Sequence, residues 1–322
     1  MAHEIDFSGS RANIAYVGKA PWHGLGHALT PGAGMDVWSK EAGFDWEVIK
    51  SPVQFSIGDS MCDMPGRFVL YRSDTGAPLS VVSDMYKVTQ PRQVVEFFRD
   101  FCEAGNMQME TMGMLRGGAI YWAMARMDDQ FDVGAGDIVL PYMLLATSAD
   151  GTMSNCATFT TVRVVCMNTL STSIGSRGER AQLRIPHSTE FDPERIKRDM
   201  GLAPQAWDKF KSVAVDMSLK EVSRETAMDY FLKVLYPKST TFDLSTPRPM
   251  LDGVMKCYDN AMGQHTMTAD GTLWGAVNAI TRWVDHEKKS TGLGNRLTSA
   301  WFGSGDSLKR AAWSVAAEMV SV

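Results

Sequence analysis

The sequence is short of the features that usually assign a chain to a class at once. Its five cysteines, an odd number among 322 residues, are widely scattered and form no CxxC pair. This pattern argues against a disulfide framework. The longest apolar runs, such as "DIVLPYMLLATSA", are much shorter than the roughly 20 residues that a membrane-spanning helix needs. We therefore expect reduced thiols, no membrane partner and a cytoplasmic location.

An excess of positive charge is also missing. The chain has 32 Lys and Arg residues against 37 Asp and Glu residues, which gives a formal net charge of −5. A dedicated duplex-DNA-binding protein usually carries a basic excess, because the phosphate backbone dominates its affinity. Any contact of this chain with nucleic acid must therefore be local.

The sequence motifs of several enzyme classes are absent as well. Neither GxSxG nor GxxxxGK[ST] occurs, which argues against a serine hydrolase and a P-loop ATPase. His23 and His27 have the spacing of zinc-protease ligands, but two helix-disfavouring glycines separate them and no glutamate follows as a base. We expect no catalytic residue, no metal and no cofactor. An enzyme that acts on nucleotides through His23, His27 and Asp150 stays an open alternative.

Hydrophobic periodicity predicts an α+β fold. β-branched and aromatic residues with turn signals between them indicate strands and hairpins, and a period near 3.6 indicates helices. In the first half, a strand is predicted at 46–56, a hairpin with a Ser-Asp-Thr-Gly turn at 66–83, a second hairpin around Gly117–Gly118 at 107–127, and two strands around Asp150–Gly151 at 137–165. Helices are predicted at 90–105 and 162–175. These elements predict an antiparallel or mixed sheet with crossing helices, which we assign to a β-rich domain at 1–190.

From about residue 190 the pattern changes to helix after helix. Apolar stripes predict helices at 204–217, from a Ser218–Glu221 capping box to about 236, at 270–289, and from a cap at Asp306 onward. We assign this helical region to a second domain at 191–322.

Two segments are locally basic although the whole chain is acidic. They are "GSRGERAQLR" at 175–184 and "HEKKSTGLGNR" at 286–296. Both combine cations with glycines, whose backbone amides can approach a phosphate. From the first segment we select Arg177, Arg180 and Arg184, and from the second Lys288, Lys289 and Arg296, as candidate nucleic-acid-binding residues. The alternative is that both segments are solvated loops.

The predicted strands carry further candidates. Arg116, Arg126 and Arg163 lie in or beside them, where one sheet face can line a groove. Tyr121 and Trp122 would offer stacking surfaces to unpaired bases. The alternative is a half-buried sheet without a ligand.

The segment "PWHGLG" at 21–26 invites interpretation as a structural strap. Pro21 and its glycines suit a bent loop, and Trp22 is large enough to anchor that loop in a core or in a neighbouring subunit. His23 would then be a satisfied hydrogen-bonding residue. The residues of this predicted strap are Pro21, Trp22, His23, Gly24 and Gly26.

Five segments are familiar in combination. They are "AYVGKAPWHGLG", "ETMGMLRGGAIYWAMARM", "PYMLLATSADGT", "TVRVVCMNTL" and "LWGAVNAITRWVDH", in this order over nearly the whole chain. Together they resemble the phage/plasmid-like protein family, a group without an assigned function that is found on phages, prophages and plasmids. The resemblance implies a mobile genetic element as the setting. It implies no catalytic residues.

Mobile elements commonly carry recombination proteins of their own. Single-strand annealing proteins of the Erf, Sak and RecT/Red-beta kinds share a small sheet followed by a long helix across it, and the order predicted for 107–175 is similar. By this fold-level analogy we expect a single-stranded DNA-binding and annealing protein that acts in homologous recombination without ATP. DNA would lie in a basic groove on the sheet of a homo-oligomeric ring or filament.

Two other classes stay open at this point. One is a regulatory or anti-defence protein that recognises a host protein or a nucleotide, and the other is the nucleotide-acting enzyme. An annealing protein requires a contiguous basic groove, whereas a small-ligand protein requires a pocket with a few convergent polar groups. An enzyme requires histidine and carboxylate side chains within hydrogen-bond reach.

Overall fold

The chain folds into two compact units. The computed structural model describes residues 6–8, 11–18, 25–103, 107–165, 168–171, 182–192, 203–239, 247–289 and 295–321. The first unit consists of residues 1–128, 143–158 and 182–200, and the second of residues 129–142, 159–181 and 201–322. The predicted α+β class is confirmed, with mixed sheets in the N-terminal half and helices in the C-terminal region. A single boundary near residue 190 does not reproduce this division, because 129–142 and 159–181 group with the helices.

A mixed sheet forms the base of the first unit. Its strands follow the order Gln182–Ile185 (β14), Asn155–Arg163 (β12), Ile138–Ser148 (β11), Ile120–Met127 (β9), Met107–Leu115 (β8), Ile14–Val17 (β3) and His27–Leu29 (β4). β3 and β4 are parallel, whereas β8 pairs antiparallel with both β3 and β9. β11 and β12 contribute only residues 143–148 and 155–158 to this unit. A short antiparallel pair, Phe7–Ser8 (β1) with Arg11–Ala12 (β2), precedes the sheet in the chain.

The first unit also contains a three-stranded antiparallel sheet. It is formed by Val48–Ile57 (β5), Ser60–Arg72 (β6) and Pro78–Ser83 (β7). β7 pairs only with residues 67–71 of β6, so that residues 54–66 extend beyond it as a two-stranded hairpin, here called the β5–β6 arm. The hairpin between β6 and β7 was predicted from the sequence. The turn at Gly58–Asp59, which creates the arm, was not.

Two helices cover the core of the first unit, Met35–Glu41 (α1) and Pro91–Glu103 (α2). Pro91 suits the first turn of α2 because its missing N–H has no partner there anyway. Val94, Phe97 and Phe98 have no exposed surface. Burial of such side chains contributes about 1.5–3 kcal/mol each. The helix predicted at 90–105 is therefore confirmed, together with its apolar face.

Two central strands of the mixed sheet, β9 and β12, bury both of their faces. All nine residues of β12 and the first six of β9 are buried. A strand with one solvated face would alternate between buried and exposed residues. The expectation of a DNA groove floored by the sheet is therefore wrong for these strands.

Helices make up most of the second unit. They are Ala203–Leu219 (α3), Arg224–Leu235 (α4), Pro249–Asn260 (α5), Leu273–Arg282 (α6), Asn295–Phe302 (α7) and Ser304–Val320 (α8). α6 continues into a π-helical turn, Trp283–Glu287. The predicted capping box at Ser218 is wrong, because α3 runs through Leu219 and Ser223 caps α4 by accepting from the Thr226 amide. Asp306 lies inside the first turn of α8 and is not its cap.

A small part of the second unit is strand. Phe131–Asp132 (β10) pairs antiparallel with the start of β11, and Asn168–Ser171 (β13) pairs antiparallel with the end of β12. The helix predicted over 162–175 is therefore wrong at 162–163 and at 168–171. Residues 172–175 lie outside the described part. The likeness in element order to annealing proteins depended on that helix.

A stack of aromatic rings fills the core of the second unit. The ring of Phe210 stacks on both Trp207 and Trp313, with centroid distances of 5.3 and 4.8 Å. Trp274 meets Phe210 edge to face at 6.4 Å. These offset and edge contacts add to the free energy of area burial. They join the N-terminal parts of α3 and α6 to the middle of α8.

A buried ion pair lies beside this stack. Arg163 has no exposed surface and donates through Nε and Nη2 to Asp137, at 2.7 Å for each of the shortest contacts. The Thr268 hydroxyl and the Trp274 indole also donate to Asp137, at 2.5 and 3.0 Å. Since every such charge must be compensated when it leaves water, the pair is stable only as a complete network.

Removing one partner of this pair should strongly destabilise the protein. For Arg163→Met we expect a loss of about 3–5 kcal/mol in the free energy of unfolding, because the Asp137 carboxylate is left buried without its cation. Urea denaturation followed by circular dichroism measures the change. The double variant Asp137→Leu/Arg163→Met should recover part of the loss.

The exposed pair between Arg92 and Glu96 provides the control, since the Arg92 side chain is 78% exposed. Arg92→Met should leave the urea midpoint almost unchanged. Equal losses in Arg163→Met and Arg92→Met would contradict the importance assigned to the buried pair.

His187 predicts a dependence of stability on pH. Its ring stacks on Tyr86 at 4.4 Å, and its two nitrogens face the carbonyl oxygens of Lys87 and Met153. Burial lowers the pKa of His187 below its ordinary value of 6.5, and this effect exceeds the opposing influence of the two carbonyls. Because the unfolded state then binds a proton more readily, stability should be complete above about pH 7 and decline as the pH falls through 6.5 towards 5.

Unfolding curves between about pH 7 and pH 5 test this expectation. In His187→Gln the free energy of unfolding should decline less as the pH falls. In His265→Gln, at an exposed position, it should decline as steeply as in the native protein. A slope that is identical in all three proteins would contradict it.

Candidate functional site

Three of the predicted site residues belong to the protein interior. Arg163 pairs with Asp137 and has no exposed surface, so it cannot contact a phosphate backbone. Tyr121 is fully buried and Trp122 is 2% exposed. Tyr121 donates its hydroxyl to the carbonyl of Thr89. The expectation of a cation and two stacking rings at these positions is therefore wrong, and all three are core residues.

Three further cations lie at the surface of the first unit. Arg116 begins a 3₁₀ turn, Arg116–Gly118, and its guanidinium is 3.7 Å from the Asp150 carboxylate. Arg126, near the end of β9, donates to the side chain of Gln108 at 3.1 Å. Arg184 is exposed on β14. They belong to separate elements, and Arg116 is paired with a carboxylate.

Lys288 and Lys289 follow directly on the π-helical turn of the second unit. The Lys288 amide donates to the carbonyl of Trp283 at 2.6 Å, and its Nζ reaches the hydroxyl of Ser304 at 3.2 Å. Burial lowers the pKa of Lys288. Lys289 is exposed. The backbone of Lys288 is thus held at the end of the turn, and Lys289 follows it.

The remaining predicted residues fall largely outside the described part of the chain. These are Arg177 and Arg180, and Pro21, Trp22, His23 and Gly24 of the predicted strap. Arg296 belongs to α7. Gly26 is described, with a φ of +114° and a position against β3 where a Cβ atom would lie 2.7 Å from Ile14. At this position only glycine fits, which agrees with the bend predicted for the segment.

The second unit contains a pocket between α5 and the end of α6, here called the α5–α6 pocket. Its volume is about 350 Å³. Its lining residues are Gly253, Lys256, Cys257 and Asn260 from α5, Ala261 and Met262 from the following loop, and Arg282, Trp283 and Glu287 from α6 and the π-helical turn. Helical spacing places the α5 residues on one face, because they are three and four positions apart.

Close packing of one glycine against one indole shapes the pocket. A Cβ atom at Gly253 would lie 2.4 Å from the indole nitrogen of Trp283. Only glycine therefore lets α5 approach this ring. The π-helical turn begins at Trp283 and widens the helix over the residues that line the pocket. Such turns frequently mark functional sites.

Positive charge predominates at the pocket. Lys256 is exposed, and the Nη2 atom of Arg282 is 3.9 Å from the nearest oxygen of Glu287, which is a loose contact. The buried Nε atom of Arg282 has no hydrogen-bond partner among the described residues. Arg282 therefore keeps donors for an additional acceptor. A guanidinium with free donors suits carboxylate or phosphate.

The thiol at the floor of the pocket is not an activated nucleophile. Burial, together with the charge of Glu287, raises the pKa of Cys257 to about 11, although Arg282 and Lys256 act in the opposite direction. A catalytic cysteine needs a lowered pKa, because the thiolate is the reactive form. The arrangement is suited to binding an anion. Within the described residues, no group of three or more His, Cys, Asp and Glu side chains is placed to hold a metal ion.

Sequence reasoning missed the α5–α6 pocket because its residues come from two segments, 253–262 and 282–287, that are about 20 positions apart. One local signal was present, since "GVMKCYDN" places Gly253, Lys256 and Cys257 at helical spacing. A second was "RWVDHEKK", in which Arg282 precedes Trp283 and two lysines follow it. Only the fold brings these two signals together.

Comparisons with known proteins place the chain in a family without giving it a reaction. No curated protein and no solved structure matches the chain. Among the described residues, none of the helices has both the length and the apolar character needed to traverse a lipid bilayer. The sequence model of one family matches residues 78–313, which is most of the chain and includes the whole α5–α6 pocket. The chain therefore belongs to the DUF932 family, a domain of unknown function.

Proposed function

We propose that this chain is a single-stranded DNA-binding protein of phages or plasmids that promotes annealing in homologous recombination without ATP. The observation that carries the proposal is the cluster of cations at the α5–α6 pocket and the turn beside it. Lys256 and Arg282 line the pocket with the carboxylate of Glu287, and Lys288 and Lys289 follow directly on the turn that ends at Glu287. We call these four cations the cationic rim.

The members of the cationic rim have little internal compensation. Among the described residues Lys256 and Lys289 form no ion pair, and Lys288 has a hydroxyl as its hydrogen-bond partner. By contrast, buried Lys309 is paired with Asp285 at 2.9 Å. Cations without carboxylate partners attract phosphate groups, and their counterions are released on binding. This local property supports a polyanionic ligand despite the net charge of −5.

Binding through phosphate contacts suits annealing. If cations hold the sugar-phosphate backbone, the base edges stay available to a complementary strand. The reaction then needs no nucleotide hydrolysis, in accord with the absence of a P-loop motif. The resemblance to phage and plasmid proteins supports a recombination setting.

The β5–β6 arm supports assembly of several copies of this chain. Phe55 and Ile57 are 46% and 61% exposed, and the strand register places both on the face that carries Cys62. Exposed apolar faces of this kind mark protein contacts. A second copy offers the same face, so two arms related by a two-fold axis would cover each other. We propose this contact as the start of the homo-oligomer.

Single-stranded DNA binding should depend on the cationic rim and on salt. Fluorescence anisotropy with a labelled oligothymidylate at several salt concentrations measures affinity. Lys256→Ala/Lys289→Ala should weaken binding and lower the slope of log K against log salt by about 1.4, since each phosphate contact to a single strand contributes about 0.7.

Lys238→Ala, at an exposed lysine outside the cationic rim, is the matched control and should bind like the native protein. An annealing assay with two complementary labelled strands tests the second half of the proposal. The proposal fails if the native protein binds no oligothymidylate at low salt, or if it binds but does not accelerate annealing.

Assembly should depend on one face of the β5–β6 arm. Phe55→Ser/Ile57→Ser should reduce the mass measured by light scattering to that of the monomer, because the apolar contact is lost. Met61→Ser is the control, since Met61 is 63% exposed but pairs with Ser56 on the opposite face. Mild oxidation should also link two native chains through Cys62, and Cys62→Ser should abolish the link. A native protein that is monomeric at micromolar concentration would exclude this assembly.

A further inference from the structure

We infer that the α5–α6 pocket is a binding site for a single nucleotide, with the phosphate held by Arg282 and Lys256 and the nucleoside lodged between α5 and the π-helical turn. The inference deepens the proposed function, on which it rests for the choice of a phosphate-bearing ligand. It names a ligand of defined size and one site.

The dimensions of the pocket suit a small ligand. Its volume of about 350 Å³ lies at the lower end of the range of about 300–1,000 Å³ that small-molecule sites occupy. A surface that only tracks a phosphate backbone has no need of such a concavity. The concavity therefore favours a ligand with a group that enters the pocket.

The anionic end of the ligand is defined by Arg282. This side chain is about one-quarter exposed, its Nε is buried without a hydrogen-bond partner among the described residues, and its Glu287 contact is long at 3.9 Å. The guanidinium therefore keeps donors that are not engaged by the described residues, and a phosphate in the pocket can accept from its exposed part. Lys256 lines the same pocket from α5 and supplies a second positive charge.

The other end of the ligand is defined by neutral and acidic groups. The side-chain amide of Asn260 donates to the Lys256 carbonyl at 3.4 Å, which is long for a hydrogen bond. Its donor and acceptor can therefore engage a base edge. The Glu287 carboxylate can accept from sugar hydroxyls or an exocyclic amine. Trp283 and Met262 provide apolar walls. Phosphate at one end and hydrogen-bonding groups with flat apolar surface at the other is the chemistry of a nucleotide.

The nucleotide can be free or can be one unit of a strand, and both present the same chemistry to the pocket. Isothermal titration with thymidine 5′-monophosphate, thymidine and inorganic phosphate tests the free form. The monophosphate should bind, whereas thymidine and phosphate alone should bind at least tenfold more weakly. A 5′-phosphorylated oligothymidylate that displaces the monophosphate would identify the strand as an additional source.

Cys257 reports binding inside this pocket, since its thiol lines the floor and is 5% exposed. Alkylation of Cys257 by iodoacetamide, followed by mass spectrometry, should slow at least threefold when thymidine 5′-monophosphate is bound. Cys62 on the β5–β6 arm should react at an unchanged rate. Protection of neither thiol, with binding seen by titration, would place the ligand elsewhere and overturn the inference.

Arg282→Gln and Lys256→Met should each reduce monophosphate affinity at least tenfold, and Lys238→Met should not. A circular dichroism spectrum and urea midpoint like those of the native protein show that the variants fold, and Lys256→Met alone suffices if Arg282→Gln does not. If oligothymidylate binds but the monophosphate does not, the proposed function stands and the nucleotide site is excluded. If the monophosphate binds with protection of Cys257 but oligothymidylate does not, the nucleotide site stands and the proposed function fails.

Discussion

The ion pair between Arg163 and Asp137 is the interaction on which the second unit depends. Neither side chain is more than a few per cent exposed, so each charge must find its compensation within the protein. Asp137 receives Arg163, a hydroxyl and an indole N–H, and Arg163 also donates to the carbonyl of Gly263. The end of β12, the residue before β11, the loop after α5 and the start of α6 are therefore held together by one network. If one partner is lost, the other remains as a buried charge without compensation. The network therefore stabilises the fold only when all of its members are present.

The position of the α5–α6 pocket follows from the same network. The loop after α5 first supplies Ala261 and Met262 to the pocket wall and then supplies Gly263 and Thr266 to Arg163. The wall is thus anchored one residue beyond the pocket. Further along the loop, Thr272 caps α6 by accepting from the Gly275 amide, and α6 carries Arg282 to the opposite wall. A ligand in the pocket would therefore meet side chains whose backbone is already fixed, which lowers the entropic cost of binding.

The sequence predicted the elements whose signals are local. Pro91 and the spacing of Val94, Phe97 and Phe98 are sufficient to predict α2. Both signals lie within the helix itself. The helix predicted at 162–175 was wrong because Val162, Cys166 and Leu170 have a spacing that fits a helix as well as a strand. The antiparallel pairing of 160–163 with 168–171 decided the outcome, and a pairing partner cannot be seen in a periodicity. Arg163 was predicted at a DNA-binding surface for the same reason, because its partner Asp137 lies 26 positions earlier in the chain.

The candidate site depends on the local charge within a few ångströms of a bound anion, whereas composition gives only the total charge of the chain. At physiological ionic strength the screening length is about 8 Å, so an acidic residue farther away hardly weakens the attraction between a surface cation and a phosphate. The total of −5 sums over the whole chain, including pairs such as Lys309 with Asp285 that cancel inside the protein. What a phosphate meets at the cationic rim is Lys256, Arg282 and their neighbours, with Glu287 as the nearby carboxylate. An acidic protein can therefore bind an anion wherever its surface carboxylates lie farther from the bound anion than the screening length.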